Sequence, residues 1–171
     1  MNFLELVKTR RSVRTYLEKP VPEGVLLRIL ESARLAPSAN NRQPWRFVVV
    51  KDPELRNALG IAANNQRFVG QAPVIIAAIA LMPEGLMSCG VPRYAVDLSI
   101  AVTHMTLAAA DEGLGTCWIG AFSQEKVKEL LQVPDEYKIV TLLPLGYPAD
   151  NRMGEKYRKP LDEIISYDKF H

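Results

Sequence analysis

The stretch Thr9-Arg10-Arg11-Ser12-Val13-Arg14-Thr15-Tyr16 places three guanidinium groups within eight residues and interleaves them with hydroxyl side chains. A guanidinium is a planar, permanently charged set of donors that matches the geometry of phosphate and carboxylate groups. The hydroxyls of Ser12 and Thr15 are neutral donors that can share the same anion. The apolar spacing of residues 2–9 predicts a short amphipathic helix, so the arginines leave a packed element and enter a loop. An anion site or a solvated surface turn both fit such a loop, since exposed arginines are ordinary.

The composition is that of a globular protein with one domain over residues 1–171, of which 149–171 form a polar C-terminal arm. Of the 171 residues, 48% are hydrophobic and 23% are charged, and the formal net charge is +2. So small a net charge lacks the polybasic footprint of a nucleic-acid-binding protein. Any positive potential must be local, which favours a small anionic ligand as the partner of the arginines.

The two cysteines, Cys89 and Cys117, lack the paired spacing of a metal site or a disulfide framework, so we expect neither. The N-terminus becomes charged within a few residues, which is unlike a signal peptide. No apolar run reaches the roughly 18 residues of a membrane-spanning helix. We therefore expect a cytoplasmic protein without a membrane partner.

The apolar pattern alternates between helices and strands along the chain. Continuous apolar runs predict strands that are buried on both faces. Helix 92–112 is apolar almost all round, which favours a helix buried between two subunits. We expect His104 within it to be a hydrogen-bonded core residue rather than a catalyst. The predicted helices are 23–36, 53–63, 92–112, 124–131 and a short turn at 161–165, and the predicted strands are 46–51, 72–81, 138–146 and a short one that starts at 116.

Two polar segments carry more donors than a simple connection requires. Residues 37–45 are dense in amide and hydroxyl groups, although a plain turn between helix and strand is the alternative. Residues 64–68 form a second amide-rich segment. Gly120 follows a short apolar run, where a glycine lets the backbone approach a flat ligand closely. Residues 83–91 fit either a lid over a ligand or a packed connection.

Four blocks of the sequence, in this order, resemble the FMN-dependent nitroreductase family. The resemblance implies an α+β fold with a mostly antiparallel sheet and an intertwined homodimer with two FMN sites in its interface. The chain is at the short end for that family and lacks the longer insertions of its larger members. The blocks are Arg10-Arg11-Ser12-Val13-Arg14, Pro37-Ser38-Ala39-Asn40-Asn41-Arg42-Gln43-Pro44-Trp45, Gly113-Leu114-Gly115-Thr116-Cys117-Trp118-Ile119-Gly120-Ala121-Phe122 and Lys156-Tyr157-Arg158-Lys159-Pro160-Leu161.

The resemblance also implies which residues contact FMN. A positive charge beside N1 and O2 stabilises the anionic reduced flavin, so Arg14 is the candidate for tuning the reduction potential. Asn64 or Gln66 would take the place of Asn65 if the register slips. The matching positions are Arg10, Arg11, Ser12, Lys156 and Arg158 for the phosphate; Arg14 and Asn65 for the polar edge of the ring; Ile119, Gly120 and Ala121 for backbone contact near N5; and Pro37, Ser38, Ala39 and Asn41 from the other subunit.

The activity implied is an oxidoreductase that passes hydride from NAD(P)H through FMN to a small acceptor, such as a nitroaromatic or a quinone, in a ping-pong cycle. The flavin carries this chemistry, so we assign no catalytic side chain and no metal. The alternatives are a flavin-binding storage or sensor protein with little turnover, and a reductive dehalogenase-like or flavin-modifying branch of the same family. A basic module for nucleic acid is disfavoured by the near-neutral charge.

Overall fold

The computed structural model describes residues 2–150 and 157–170. These residues form helices and strands close to the predicted ones. A 3₁₀ turn at Leu161–Glu163 lies within the predicted turn at 161–165, and a 3₁₀ turn at Ala39–Asn41 was not predicted. The helices are α1 (Phe3–Thr9), α2 (Glu23–Arg34), α3 (Pro53–Ala62), α4 (Arg67–Gln71), α5 (Arg93–Asp111) and α6 (Gln124–Leu131). The strands are β1 (Trp45–Val50), β2 (Val74–Ala80), β3 (Gly115–Thr116) and β4 (Lys138–Gly146).

Polar side chains that cap the first turn explain where several helices begin. The side chain of Asn2 accepts a hydrogen bond from the Glu5 N–H before α1, and Ser123 caps α6 in the same way. Asp52 caps α3, whose first residue is Pro53, a position that needs no amide donor. Helix α4 has five residues and was not predicted, because one and a half turns contain too few residues for a helical period to be recognised.

The four strands form one sheet in the order β1-β2-β4-β3, and every neighbouring pair is antiparallel. Helices α2 and α5 cover one face, and α3, α4 and α6 cover the other. All seven residues of β2 are buried because this strand is internal and both its faces are covered. The predicted α+β fold with a mostly antiparallel sheet is thereby confirmed.

Two apolar clusters, one on each face of the sheet, hold the layers together. Alternate residues of β2 belong to different clusters, as the two-residue period of a strand requires. Leu26, Ile29, Leu98 and Met105 pack on one face, and Leu59, Val69 and Val127 pack on the other.

Strand β1 corrects one expectation: the prediction that it is buried on both faces was wrong. Arg46 is exposed and the next three residues are only half-buried. The reason is that β1 is an edge strand, which pairs with β2 alone. A run of apolar residues indicates a strand, but it does not distinguish the edge of a sheet from its centre.

Helix α5 was predicted correctly to within one residue at each end. Its buried face, including Leu98, Ala101 and Met105, packs on the sheet. The Nδ1 atom of His104 lies 3.2 Å from the carbonyl oxygen of Ser32 in α2. His104 is therefore a half-buried, hydrogen-bonded residue between two helices. That α5 is buried between two subunits stays a prediction.

Candidate functional site

The arginine loop leaves α1 at its C-terminal end and pairs with β3. The Arg10 N–H closes the helix by donating to the carbonyl of Leu6 at 2.9 Å. Ser12 then forms a parallel bridge to Thr116, and the Val13 N–H donates to the Thr116 carbonyl at 2.8 Å. The loop is therefore held by backbone hydrogen bonds to an element of the sheet, which is a rigid support for a binding site.

Gly115 allows the close approach of this loop to β3. A Cβ atom at position 115 would lie 2.7 Å from the Cβ atom of Val13, a distance that real contacts do not show. Val13 itself is 1% exposed, so it has little room to move away. Only glycine permits this packing, and the packing fixes where Ser12 and Arg14 lie.

Tyr16 fastens the other end of the loop. Its hydroxyl donates to the carbonyl of Val13 at 2.8 Å, and Tyr16 forms an antiparallel bridge to Pro148. Burial raises the pKa of the Tyr16 phenol above its ordinary value, although the charges of Arg14 and Arg11 act in the opposite direction. The phenol therefore stays protonated and keeps donating at neutral pH.

The second segment of the site runs from Cys117 to Ala121, immediately after β3. Ile119 is buried and exchanges two backbone hydrogen bonds with Leu142 of β4, at 3.0 and 3.2 Å. Gly120 and Ala121 follow at the exposed surface. The nearest atom to a Cβ built on Gly120 is Trp118 Nε1, at 3.9 Å, so the chain leaves open space above this backbone.

The third segment is the turn at the end of α3. Asn64 and Asn65 both have left-handed backbone angles, with φ of 57° and 58°, which asparagine tolerates better than most residues. The side-chain amide of Gln66 donates to the carbonyls of Ala63, at 2.9 Å, and Ala121, at 3.2 Å. Gln66 therefore joins this turn to the Gly120 segment, while the side chains of Asn64 and Asn65 remain exposed.

The charges near these three segments are mostly uncompensated. Within the described part of the chain, Arg10 and Arg14 form no ion pair, whereas Arg11 donates to the carboxylate and carbonyl of Asp150.

Burial raises the pKa of the Cys117 thiol, and the Arg14 guanidinium and the Ser12 hydroxyl oppose that shift. Arg14 and Ser12 therefore lie near the start of the second segment, with Cys117 beneath them.

The loop of residues 37–41 lies at the opposite end of the sheet. It precedes Trp45, which pairs with Ala80, and Ala80 pairs with Lys138 at the start of β4. Thr116, in contrast, pairs with Leu145 near the end of β4. At about 3.4 Å per residue, the two ends are about 24 Å apart along β4. The structure therefore does not bring Pro37, Ser38, Ala39 and Asn41 together with the arginine loop of the same chain.

The two remaining predicted residues lie in the C-terminal arm. Lys156 is outside the described residues. Arg158 is exposed, and its guanidinium donates to the carbonyl of Tyr157. Residues 157–170 are all exposed, which includes large apolar side chains such as Ile164 and Phe170.

Three supporting residues had no assigned role in the sequence prediction, namely Tyr16, Gly115 and Asp97, and Gln66 was named only as an alternative to Asn65 at the ring. Asp97 is 2% exposed, and its Oδ1 atom accepts a hydrogen bond from the Ala39 N–H at 2.9 Å. The sequence shows an acidic residue on an otherwise apolar helix, but it does not show that this residue bonds to a distant loop.

Within the described residues, no group of three or more His, Cys, Asp or Glu side chains is arranged to hold a metal ion. None of the described helices combines the length and the apolar character needed to cross a membrane.

Comparison with known proteins places the chain among flavin enzymes. The model of the nitroreductase family matches residues 7–66 and 60–147. The Bacillus subtilis protein named FMN reductase [NAD(P)H] is 34% identical, with 94% of this chain and 72% of that protein covered. A crystal structure of a nitroreductase family protein from Clostridium difficile 630 superposes with a TM-score of 0.89, at 34% identity, and covers 99% of this chain and 100% of that one. Iodotyrosine deiodinase 1 of Mus musculus is 27% identical, with 95% and 68% covered.

Proposed function

The chain belongs to the nitroreductase family, and we propose that it is an NAD(P)H-dependent flavin oxidoreductase that uses FMN to reduce a small acceptor such as a nitroaromatic or a quinone. The observation that carries this proposal is the convergence of three segments at one edge of the sheet. They are the arginine loop with Ser12, the exposed backbone of Gly120 and Ala121, and the turn at Asn65. Together they offer cationic donors, a flat open backbone surface and free amide groups.

These residues suit FMN in charge and in shape. Arg10 carries a cation without an ion-pair partner in the described residues, and Ser12 is exposed beside it, which suits a dianionic phosphate. The open space above Gly120 suits a planar ring, since a Cβ there would meet nothing closer than 3.9 Å. The exposed Asn65 amide and the Arg14 guanidinium suit a ring edge with alternating donors and acceptors.

Bound FMN would accept hydride from NAD(P)H and deliver it to the acceptor. The residues of the protein would bind and orient the flavin and tune its reduction potential. Arg14 would stabilise negative charge on the reduced ring, and Arg10 with Ser12 would hold the phosphate. Ile119 is anchored to Leu142 by two backbone hydrogen bonds, so the backbone that follows it would be held in place for contact with the ring.

Arg11 has a different part in this proposal. Its guanidinium is engaged by the carboxylate and carbonyl of Asp150, at the point where the chain leaves β4. The Ala149 N–H also donates to the carbonyl of Thr15, at 3.0 Å. We propose that Arg11 supports the phosphate site chiefly by holding the base of the C-terminal arm, with its positive charge adding to that of Arg10.

A homodimer would complete the site. The loop of residues 37–41 lies about 24 Å along β4 from the arginine loop of its own chain. A second copy of the chain would supply that loop to the first. Exposed apolar side chains on α1 would suit the interface of such a dimer: Phe3 is 70% exposed and Leu4 is 62% exposed.

The C-terminal arm would be part of the same assembly. Within residues 157–170, the large apolar side chains of Leu161, Ile164, Tyr167 and Phe170 are exposed. Exposed apolar surface of this kind marks a site of interaction with another protein. We propose one FMN-binding domain over residues 1–171, with the arm packed against the partner subunit. Sedimentation equilibrium tests this: we expect a dimer at all practical concentrations, and a stable monomer that binds FMN would contradict the shared site.

The decisive experiment is the visible absorption spectrum of the freshly purified protein before and after anaerobic NADH or NADPH. We expect flavin bands that bleach with at least one nucleotide and return when menadione or nitrofurazone is added. A protein that FMN cannot reconstitute would refute the proposal. Bands that persist with both nucleotides would instead favour a flavin-binding storage or sensor protein.

Reductive dehalogenation is a second candidate, because the similarity to iodotyrosine deiodinase 1 extends over 95% of this chain. The test is iodide release from iodotyrosine by the chemically reduced protein. We expect nitrofurazone and menadione to be reduced much faster than iodotyrosine. The reverse order of rates would assign the chain to the dehalogenating branch.

A further inference from the structure

We propose that Asp97 is a positioning residue, whose carboxylate holds the loop of residues 38–41 in the conformation that contacts flavin across the dimer interface. This inference rests on the proposed function, because the loop is assigned to FMN only there. Among the residues that the structure describes, Asp97 is the one charged side chain that is buried, at 2% exposure. Its Oδ1 atom accepts the Ala39 N–H at 2.9 Å and so joins the loop to α5.

The loop has a backbone that needs such support. Asn40 and Asn41 have φ of 53° and 52°, and Gln43 has φ of 51°. Left-handed conformations cost free energy in residues other than glycine, and they persist where surrounding contacts impose them. Within the loop, the Asn41 N–H donates to the Ser38 carbonyl and the Gln43 N–H donates to the Ser38 hydroxyl, both at 2.9 Å. The Asp97 bond connects this internally bonded turn to the body of the protein.

The environment of Asp97 is unfavourable for a carboxylate. Its neighbours on the buried face of α5 are apolar residues such as Leu98 and Ala101. Its second oxygen, Oδ2, is buried and has no hydrogen-bond partner in the described part of the chain. Burying a carboxylate oxygen without a partner is costly, so packing alone would favour an apolar side chain here. The hydrogen bond from the Ala39 N–H explains why an acidic residue occupies this position.

The loop faces outward once it is held. Pro37 and Asn41 are exposed, whereas Ser38 and Ala39 are half-buried above α5. Asp97 itself is beneath them and reaches no ligand, so it acts through the loop. Its loss should therefore weaken FMN binding while the arginine loop, at the other end of the sheet, remains intact.

The test compares Asp97→Ala with Asp97→Asn in the dimer. Asparagine keeps an oxygen that can accept the Ala39 N–H, and alanine does not. Met105→Ala is the matched control, since Met105 is fully buried on the same helix, eight residues away, and is outside the site. Two quantities are measured for each protein: hydrogen exchange of the Ala39 amide without flavin, and the Kd for FMN by fluorescence quenching.

We expect Asp97→Ala to lose protection at the Ala39 amide and to weaken FMN binding about tenfold or more, as for a lost hydrogen bond to a charged group. Asp97→Asn should stay within about threefold of the wild type in both measurements, and Met105→Ala should do so despite lower stability. The inference would be overturned if Asp97→Ala matched Met105→Ala in amide protection and FMN affinity. It would also be overturned if Asp97→Asn bound FMN as weakly as Asp97→Ala. Wild-type protein that binds no FMN would instead be a failure of the proposed function.

Discussion

Replacement of Gly115 by alanine tests whether the arginine loop is held as described. The added Cβ would clash most closely with Val13 Cγ2 and would lie 2.7 Å from Val13 Cβ, whereas ordinary contact begins at 3.4 Å. The two segments would have to separate by at least about 0.7 Å, and overpacking of this kind costs about 1–3 kcal/mol. The Val13 N–H bond to the Thr116 carbonyl, 2.8 Å long, would be strained as well, at about 1 kcal/mol.

We therefore expect Gly115→Ala to lose about 2–4 kcal/mol of unfolding free energy, out of a typical total of about 5–15 kcal/mol. The assay is urea unfolding of the flavin-free protein at fixed chain concentration, followed by far-ultraviolet circular dichroism. Gly120→Ala is the matched control. Its Cβ would meet nothing closer than 3.9 Å, so its stability should change by less than about 0.5 kcal/mol.

A double mutant isolates the contact itself. Val13→Ala removes the two γ-methyl groups and, with them, part of the collision that Gly115→Ala creates. The double mutant should be more stable than the sum of the single effects predicts, by about 1 kcal/mol. Additive effects to within about 0.3 kcal/mol, or a loss of less than about 0.5 kcal/mol in Gly115→Ala, would refute the account of this loop.

Three further predictions concern the same site. Arg10→Ala should weaken FMN binding about 10- to 100-fold and leave riboflavin binding almost unchanged, since a charge-assisted hydrogen bond to phosphate contributes about 1.5–3 kcal/mol; equal losses for both ligands would contradict the phosphate role. Arg14→Ala should weaken FMN retention and lower the flavin reduction potential, measured by spectroelectrochemical titration, and an unchanged potential would exclude a role beside the ring. Tyr16 has a pKa raised by burial, so its stabilising contribution should be complete below about pH 10 and lost as the pH rises further; Tyr16→Phe should remove that alkaline loss in urea unfolding and cost about 1 kcal/mol at neutral pH.

The elements of the fold were predictable because they follow from local patterns. Strand β4 and helix α6 were predicted with the bounds that the structure has, since apolar runs and caps are read directly from neighbouring residues. The edge position of β1 was not predictable in this way. Half-burial of its apolar residues depends on which strands stand beside it, and the pattern of a single strand does not contain that information.

For the site, the chemical groups could be identified from the amino-acid sequence: arginines, amides and a glycine in an order that resembles one flavin-binding family. Which of these groups meet depends on the tertiary structure. Ser12 lies against Thr116, and Gln66 reaches Ala121, whereas the loop of residues 37–41 lies at the far end of the sheet and is held by Asp97. The physical reason is that residue types and short spacings are local properties, while strand pairing and burial bring together positions that are tens of residues apart.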